Sequence, residues 1–219
     1  MGDPRSLNIP GILFGLGTAL LFLVLSLWIS FSDLGFYDAF REDRQDYEYI
    51  GRDRDELQIV TKDLIRYIQL GGEERLERHF NEREIHHMRD VRLLLLITIP
   101  LGIFGAGLAL YGRTKAGRTQ SLYAFRKTAV GTLGVLLLVL LAGGIWMALS
   151  FDTAFVRFHE IFFWNDLWLL DPATDLMIRM LPQDLFVRLF VRILMLFLIF
   201  CGLLTAVLLR RNYEFRKIH

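Results

Sequence analysis

Glu84-Ile85-His86-His87-Met88-Arg89-Asp90-Val91-Arg92 is the last polar run before an apolar stretch that opens at Leu93 and continues to Tyr111. Asn81 is a good helix cap, and Glu84, three residues later, completes a capping box. Nothing after it breaks the pattern until Pro100, a site for a kink, so the spacing predicts one helix over 82–112. At 1.5 Å per residue that helix is about 45 Å long, against a hydrocarbon core of about 30 Å. Its polar end therefore stands outside the bilayer, with His86 and His87 within about 10 Å of the apolar boundary. Histidine is the side chain whose ordinary pKa allows proton transfer near neutrality.

The rest of the chain makes the membrane reading general. Hydrophobic residues are 53% of the 219, and four runs reach the roughly 20 residues that a spanning helix needs. They are 9–31, 93–111, 129–149 and 189–209, and Arg192 alone places a charge inside one. Four such runs in so short a chain cannot all be buried in a soluble core. The expected fold is all-α: one integral membrane domain over 1–219, with outer segments 32–92 and 150–188 and a short connection 112–128. The first run is too long for the apolar core of a cleaved signal peptide and reads as a retained helix.

Lys and Arg distribution orients the chain. The connection 112–127 carries Arg113, Lys115, Arg118, Arg126 and Lys127 without an acid, and the tail carries Arg210, Arg211, Arg216 and Lys217 against Glu214. The segment 32–91 instead holds ten basic and sixteen acidic residues, and 151–188 three and six. The positive-inside rule puts the basic connection and both termini in the cytoplasm, and both acidic segments on the extracellular face. Cys201, the single cysteine, excludes an intrachain disulfide and reads as helix-packing material.

Within the outer segments, 33–55 is dense in charge and aromatics and predicts short surface helices. Leu57, Val60, Leu64, Ile65 and Ile68 recur at helical spacing, and Gly71-Gly72 supplies a stop, which predicts a helix over roughly 55–70. Phe151, Phe155, Phe158 and Phe162 form a helical stripe suited to the membrane interface. Asp171-Pro172 and Leu181-Pro182 mark turns. Gly15, Gly17, Gly102, Gly105 and Gly107 lie inside spans, where small residues let helices approach.

Of five histidines, His79 reads as a surface residue before the helix cap, and terminal His219 carries no functional weight. His86 and His87 differ by about 100° around the helix, so they cannot face one site equally. Glu84, His87 and Asp90 share a side, and Asp90 stands where it could accept the second ring proton of His87. His159 lies on or beside the aromatic face of the second outer segment, on the same side of the membrane as His87 and at similar depth. Two histidines so placed can act as general base and general acid. There is no HxxxH or CxxC spacing, no GxSxG, no phosphate loop, no dinucleotide fingerprint and no nucleic-acid-binding pattern, so neither metal nor cofactor is expected.

Two blocks carry a resemblance. Glu84–Arg92 looks like the E-x-x-H-M-x-D-V motif of the bacterial four-span lipoprotein intramolecular transacylases. Phe158-His159-Glu160-Ile161-Phe162-Phe163-Trp164-Asn165-Asp166-Leu167-Trp168, continuing through Asp171-Pro172 and Asp175, looks like that family's FHxxFFxND-x-W-x-x-DP-x-x-D run. The resemblance implies an enzyme that moves the sn-2 acyl chain of a lipoprotein's diacylglyceryl group onto the α-amine of its N-terminal cysteine. It aligns the motif histidine with His87 and makes His87 and His159 the acid–base pair. On this reading His87 is taken as base, oriented by Asp90 or Glu84, and His159 as acid, the two roles being interchangeable on sequence. Asn165 could donate to an oxyanion, Asp166 shapes the loop, and Arg157 meets a lipid or substrate carbonyl. The implied partners are a diacylated lipoprotein and membrane lipids, with the chain acting as a monomer. Three other readings compete: a non-catalytic lipid-binding module, a b-type haem carrier (whose spans would need the histidines these lack), and an intermolecular acyltransferase.

Overall fold

The structure, a computed structural model, describes residues 8–119 and 122–217, with side chains for 8–116 and 122–210; His219 lies outside these, as do the side chains of Arg118, Arg211, Glu214, Arg216 and Lys217. Nine α-helices and a 3-10 turn, with no strand, are present among the described residues: α1 Ile9–Phe31, α2 Leu34–Arg44, α3 Tyr47–Ile50, α4 Arg54–Leu70, α5 Glu82–Thr119, α6 Leu122–Leu149, α7 Phe151–Phe162, α8 Leu176–Met180 and α9 Gln183–Lys217. α1, α5, α6 and α9 are long and apolar enough to cross a membrane. The chain is a four-span, all-helical membrane protein.

Two compact units share this chain, one built from the chain up to Leu27, Ile99–Gly144 and the chain from Arg192 on, the other from Trp28–Thr98 and Ile145–Val191. In the first unit, glycines set the helix contacts. A Cβ on Gly105 would lie 2.7 Å from the Gly17 carbonyl oxygen, and one on Gly15 would lie 2.7 Å from Thr132 Cβ. α1 can therefore touch α5 and α6 backbone to backbone only because these positions carry no side chain. Gly107 is different: nothing lies within 4 Å of its Cβ position, so it is not a packing glycine. Cys201 is buried beside Phe197, Ala19 and Leu133, as packing material should be.

The second unit is organised by α4. Asp53 and Glu56 form a reciprocal capping box at its start, and the Gly71 N–H closes its end on the Tyr67 carbonyl at 2.7 Å. Leu57 and Ile68 are fully buried in a cluster with Leu76 and Phe80 from the segment before α5, Ile85 and Met88 of α5, and Leu176, Met177 and Met180 of α8. Burying each such side chain contributes roughly 2 kcal/mol, so this cluster fixes the polar end of α5 against the outer segments. His79, read as a surface residue, is instead largely buried and paired with Asp63 at 3.0 Å. The basic connection is also shorter than expected, because residues 112–119 and 122–127 continue α5 and α6 as helix.

Candidate active site

The first turn of α5 builds the floor of the site. The Asn81 side chain accepts from the Glu84 N–H at 3.0 Å, and the Glu84 carboxylate accepts from the Asn81 N–H at 2.9 Å. The other Glu84 oxygen accepts from the Met177 N–H at 2.6 Å, and the residue is only 1% exposed. Burial raises the Glu84 carboxyl above its ordinary pKa, and the backbone N–H donors oppose that rise. Asn81 also donates to Asp175 at 2.8 Å, and Asp175 accepts from the Asp171 N–H at 2.7 Å. Glu84 thus ties α5 to α8 and, through Asn81, to the Asp171–Asp175 turn, and makes no bond to His87.

One turn further, Glu82–Arg92 is still too rich in charge to enter hydrocarbon, so His87 lies outside the membrane-spanning part of α5. His87 is 7% exposed while His86 is exposed, in agreement with the helix-phase argument. His87 Nδ1 is buried with no hydrogen-bond partner. Its pKa is lowered to about 4, chiefly by desolvation and also by the nearby His159, with Asp90 opposing both. Asp90, which spacing made available to the His87 ring, accepts instead from Asn165 Nδ2 at 2.9 Å.

α7 delivers the second imidazole. His159 is also 7% exposed, and its ring centroid stands 5.9 Å from that of His87. His159 Nδ1 lies 2.7 Å from the Phe155 carbonyl oxygen, which can only accept. In neutral His159 the proton therefore sits on Nδ1, and the Nε2 lone pair is left free. Desolvation lowers the His159 pKa, partly offset by this hydrogen bond, so the ring favours that neutral form.

Aromatic rings close the rest. Trp168 stacks on His159 at 4.7 Å, Phe155 lies 4.0 Å from it, and Phe163 stands 5.2 Å from His87 and 5.3 Å from His159. Arg157 is exposed and pairs with Glu160 at 2.8 Å. Arg83, one turn before His87, donates to the Asp166 carbonyl at 2.6 Å. Phe163, Trp168 and Arg83 were not singled out as site residues, because periodicity reports neighbours on one helix: Phe163 and Trp168 come from the segment after α7 folded back onto α5, and the partner of Arg83 lies in that same segment. Among the described residues no three His, Cys, Asp or Glu side chains gather to hold a metal ion.

Two buried imidazoles, each with its pKa lowered by desolvation, meet in a four-span integral membrane protein, an arrangement of the kind that serves acid–base chemistry. The lipoprotein intramolecular transacylase Lit family model matches residues 12–186, and the chain belongs to that family of enzymes. Its fold matches the in meso structure of the membrane integral lipoprotein intramolecular transacylase Lit from Bacillus cereus, with TM-score 0.77 and 21% identity over 94% of this chain and 96% of that one. Two forms of that protein with a histidine substitution match as well. The arginine form gives TM-score 0.77 and 20% identity over 94% and 92% of the chains, the alanine form 0.72 and 20% over 94% and 94%. No curated protein sequence matches significantly.

Proposed function

We propose that the chain moves the sn-2 acyl group of a diacylglyceryl lipoprotein onto the α-amine of its N-terminal cysteine, giving the lyso form. The observation that carries the reading is the pair of dry, neutral imidazoles 5.9 Å apart in a member of this family. Ester and amine belong to one substrate molecule, so proximity is supplied by the substrate and no Ser or Cys nucleophile is needed. The amine has a pKa of about 8 when free, and it loses a proton easily once bonded to the ester carbon.

His159 is the base in this scheme and His87 the acid, the reverse of the assignment made on sequence. The free Nε2 of His159 takes the amine proton, its Nδ1–H being steadied by the Phe155 carbonyl. The proton taken up by His159 passes to His87, 5.9 Å away between ring centroids, and from His87 to the departing glyceryl oxygen, so both rings end neutral. The C–O bond breaks, the C–N bond forms, and the N–H proton ends on the new hydroxyl, so no net proton is consumed. Burial disfavours a lasting imidazolium at either ring, which keeps the transfer short-lived and its return fast. Asn165 and Asp90 hold the loop rather than an oxyanion, and Arg157 remains available to a headgroup.

The site lies on the extracellular face, with both termini cytoplasmic, the spans at 9–31, 93–111, 129–149 and 189–209, and the chain acting as a monomer among membrane lipids. The basic residues at the inner ends of α5 and α6 support that orientation. The exposed Ile161, Phe162 and Trp164 at the end of α7 suit the interface. His87→Ala and His159→Ala, made separately in a cell dependent on the protein for lyso-form lipoprotein, test the scheme. Each is expected to abolish conversion, and normal yield from both variants sinks it.

A further inference from the structure

Resting on that reading of the imidazole pair, we infer that Phe163 is the residue that makes the amine, rather than water, the acceptor of the acyl group. A neutral imidazole activates any acidic proton brought to it, so the base itself cannot refuse water. Selection must come from access. Phe163 is 7% exposed, and its ring forms a near-equilateral triangle with the two imidazoles, 5.2 and 5.3 Å from rings that are 5.9 Å apart. Nδ1 of His87, the imidazole 5.2 Å from that ring, is both solvent-shielded and without a hydrogen-bond partner. A water admitted there would find both a hydrogen-bond partner and a base.

The ring is held by its backbone, not by its own chemistry. The loop that follows it is clipped to α5 on both sides of His87. Arg83, four residues before, donates to the Asp166 carbonyl at 2.6 Å, and Asp90, three residues after, accepts from Asn165 at 2.9 Å. Both clips are exposed, so they can open for substrate and reclose over it without a change in the core. With the loop closed, the ester carbon meets the substrate's own amine. With Phe163 gone or the loop loose, water adds instead: the ester C–O bond breaks, the carbonyl carbon takes the water oxygen, and one water proton goes to the glyceryl oxygen. The products are then a free fatty acid and a lyso lipoprotein with its amine unblocked.

Mass spectrometry separates the two fates, since transfer leaves the mass unchanged and hydrolysis removes one acyl chain. The assay uses the full chain in detergent with a synthetic lipopeptide bearing S-diacylglyceryl cysteine and a free amine. Phe163→Ala is expected to raise the ratio of fatty acid released to amine acylated by about tenfold to a hundredfold, the range by which an apolar pocket discriminates. Phe163→Leu is expected to stay near the wild-type ratio, with Arg83→Ala and Asp90→Ala in between. Adding His159→Ala to Phe163→Ala must stop fatty acid release. An unchanged ratio in Phe163→Ala, or a proportionate loss of both products, overturns the inference. Should Phe163→Ala not fold, an unchanged ratio in both loop-clip variants overturns it equally. A wild-type chain that acylates no amine would instead remove the transacylase reading itself.

Discussion

His87 is held neutral by burial, which makes acid a specific destabiliser of this fold. In the unfolded chain the imidazole titrates near 6.5, and in the folded one near 4. Between those values the unfolded state binds more protons than the folded state. Stability is therefore complete above pH 6.5, declines as pH falls, and has lost the whole contribution below about 4. Two and a half pKa units at about 1.4 kcal/mol each amount to roughly 3 kcal/mol. For a chain of this size that is a fall in melting temperature on the order of 10 °C. The assay is thermal unfolding in detergent from pH 7.5 to 4, comparing wild type with His87→Phe, whose ring fits the apolar wall of Phe163. Carboxylates elsewhere titrate in both proteins, so the difference between the two curves isolates His87. The variant is expected to lose stability with acid more shallowly. Parallel curves would refute the claim that His87 is buried without a partner for its proton.

Other outcomes follow from single contacts. Glu84→Ala orphans the Met177 and Asn81 N–H groups while the Asn81 side chain still caps α5, and is expected to cost about 3 to 5 kcal/mol in denaturant unfolding, with Glu84→Gln costing less. Cys201→Ala removes one buried sulfur from the first unit and is expected to cost about 1 kcal/mol while conversion of lipoprotein is unchanged. A cysteine placed at the fully exposed Trp164 is expected to react with a membrane-impermeant maleimide in intact cells, and one at Arg113 only after lysis; the opposite pattern would invert the topology.

Most of the fold was legible because the relevant signals run along single helices. The reciprocal Asn81–Glu84 cap, the α4 stripe from Leu57 to Ile68 and the Phe151–Phe162 helix are all local patterns, and each forms where its spacing puts it. The 100° rule also separated buried His87 from exposed His86. The tertiary partners were less visible. Asp90 sits one turn from His87, and helical spacing alone could not reveal that Asn165, 75 residues away, would claim its carboxylate. The His159 tautomer depends on a backbone carbonyl, which has no sequence identity to read. Basic residues in 112–127 looked like a loop because charge marks a membrane face, yet Lys and Arg are also good helix formers and α5 and α6 run on through them.

α5 runs without a break from Glu82 to Thr119, through Pro100, and that continuity gives the enzyme a length standard. His87 precedes Leu93, the proposed start of the hydrocarbon, by six residues, or about 9 Å of helical rise. An ester carbonyl in a bilayer has a depth fixed by its own lipid. In the proposed reaction, the height at which α5 carries His87 has to match that depth. One residue inserted between Arg92 and Leu93 would lift the imidazole by about 1.5 Å but swing it by about 100°, whereas a whole turn would preserve its bearing and change only its height. Bilayer thickness then becomes a substrate parameter in its own right.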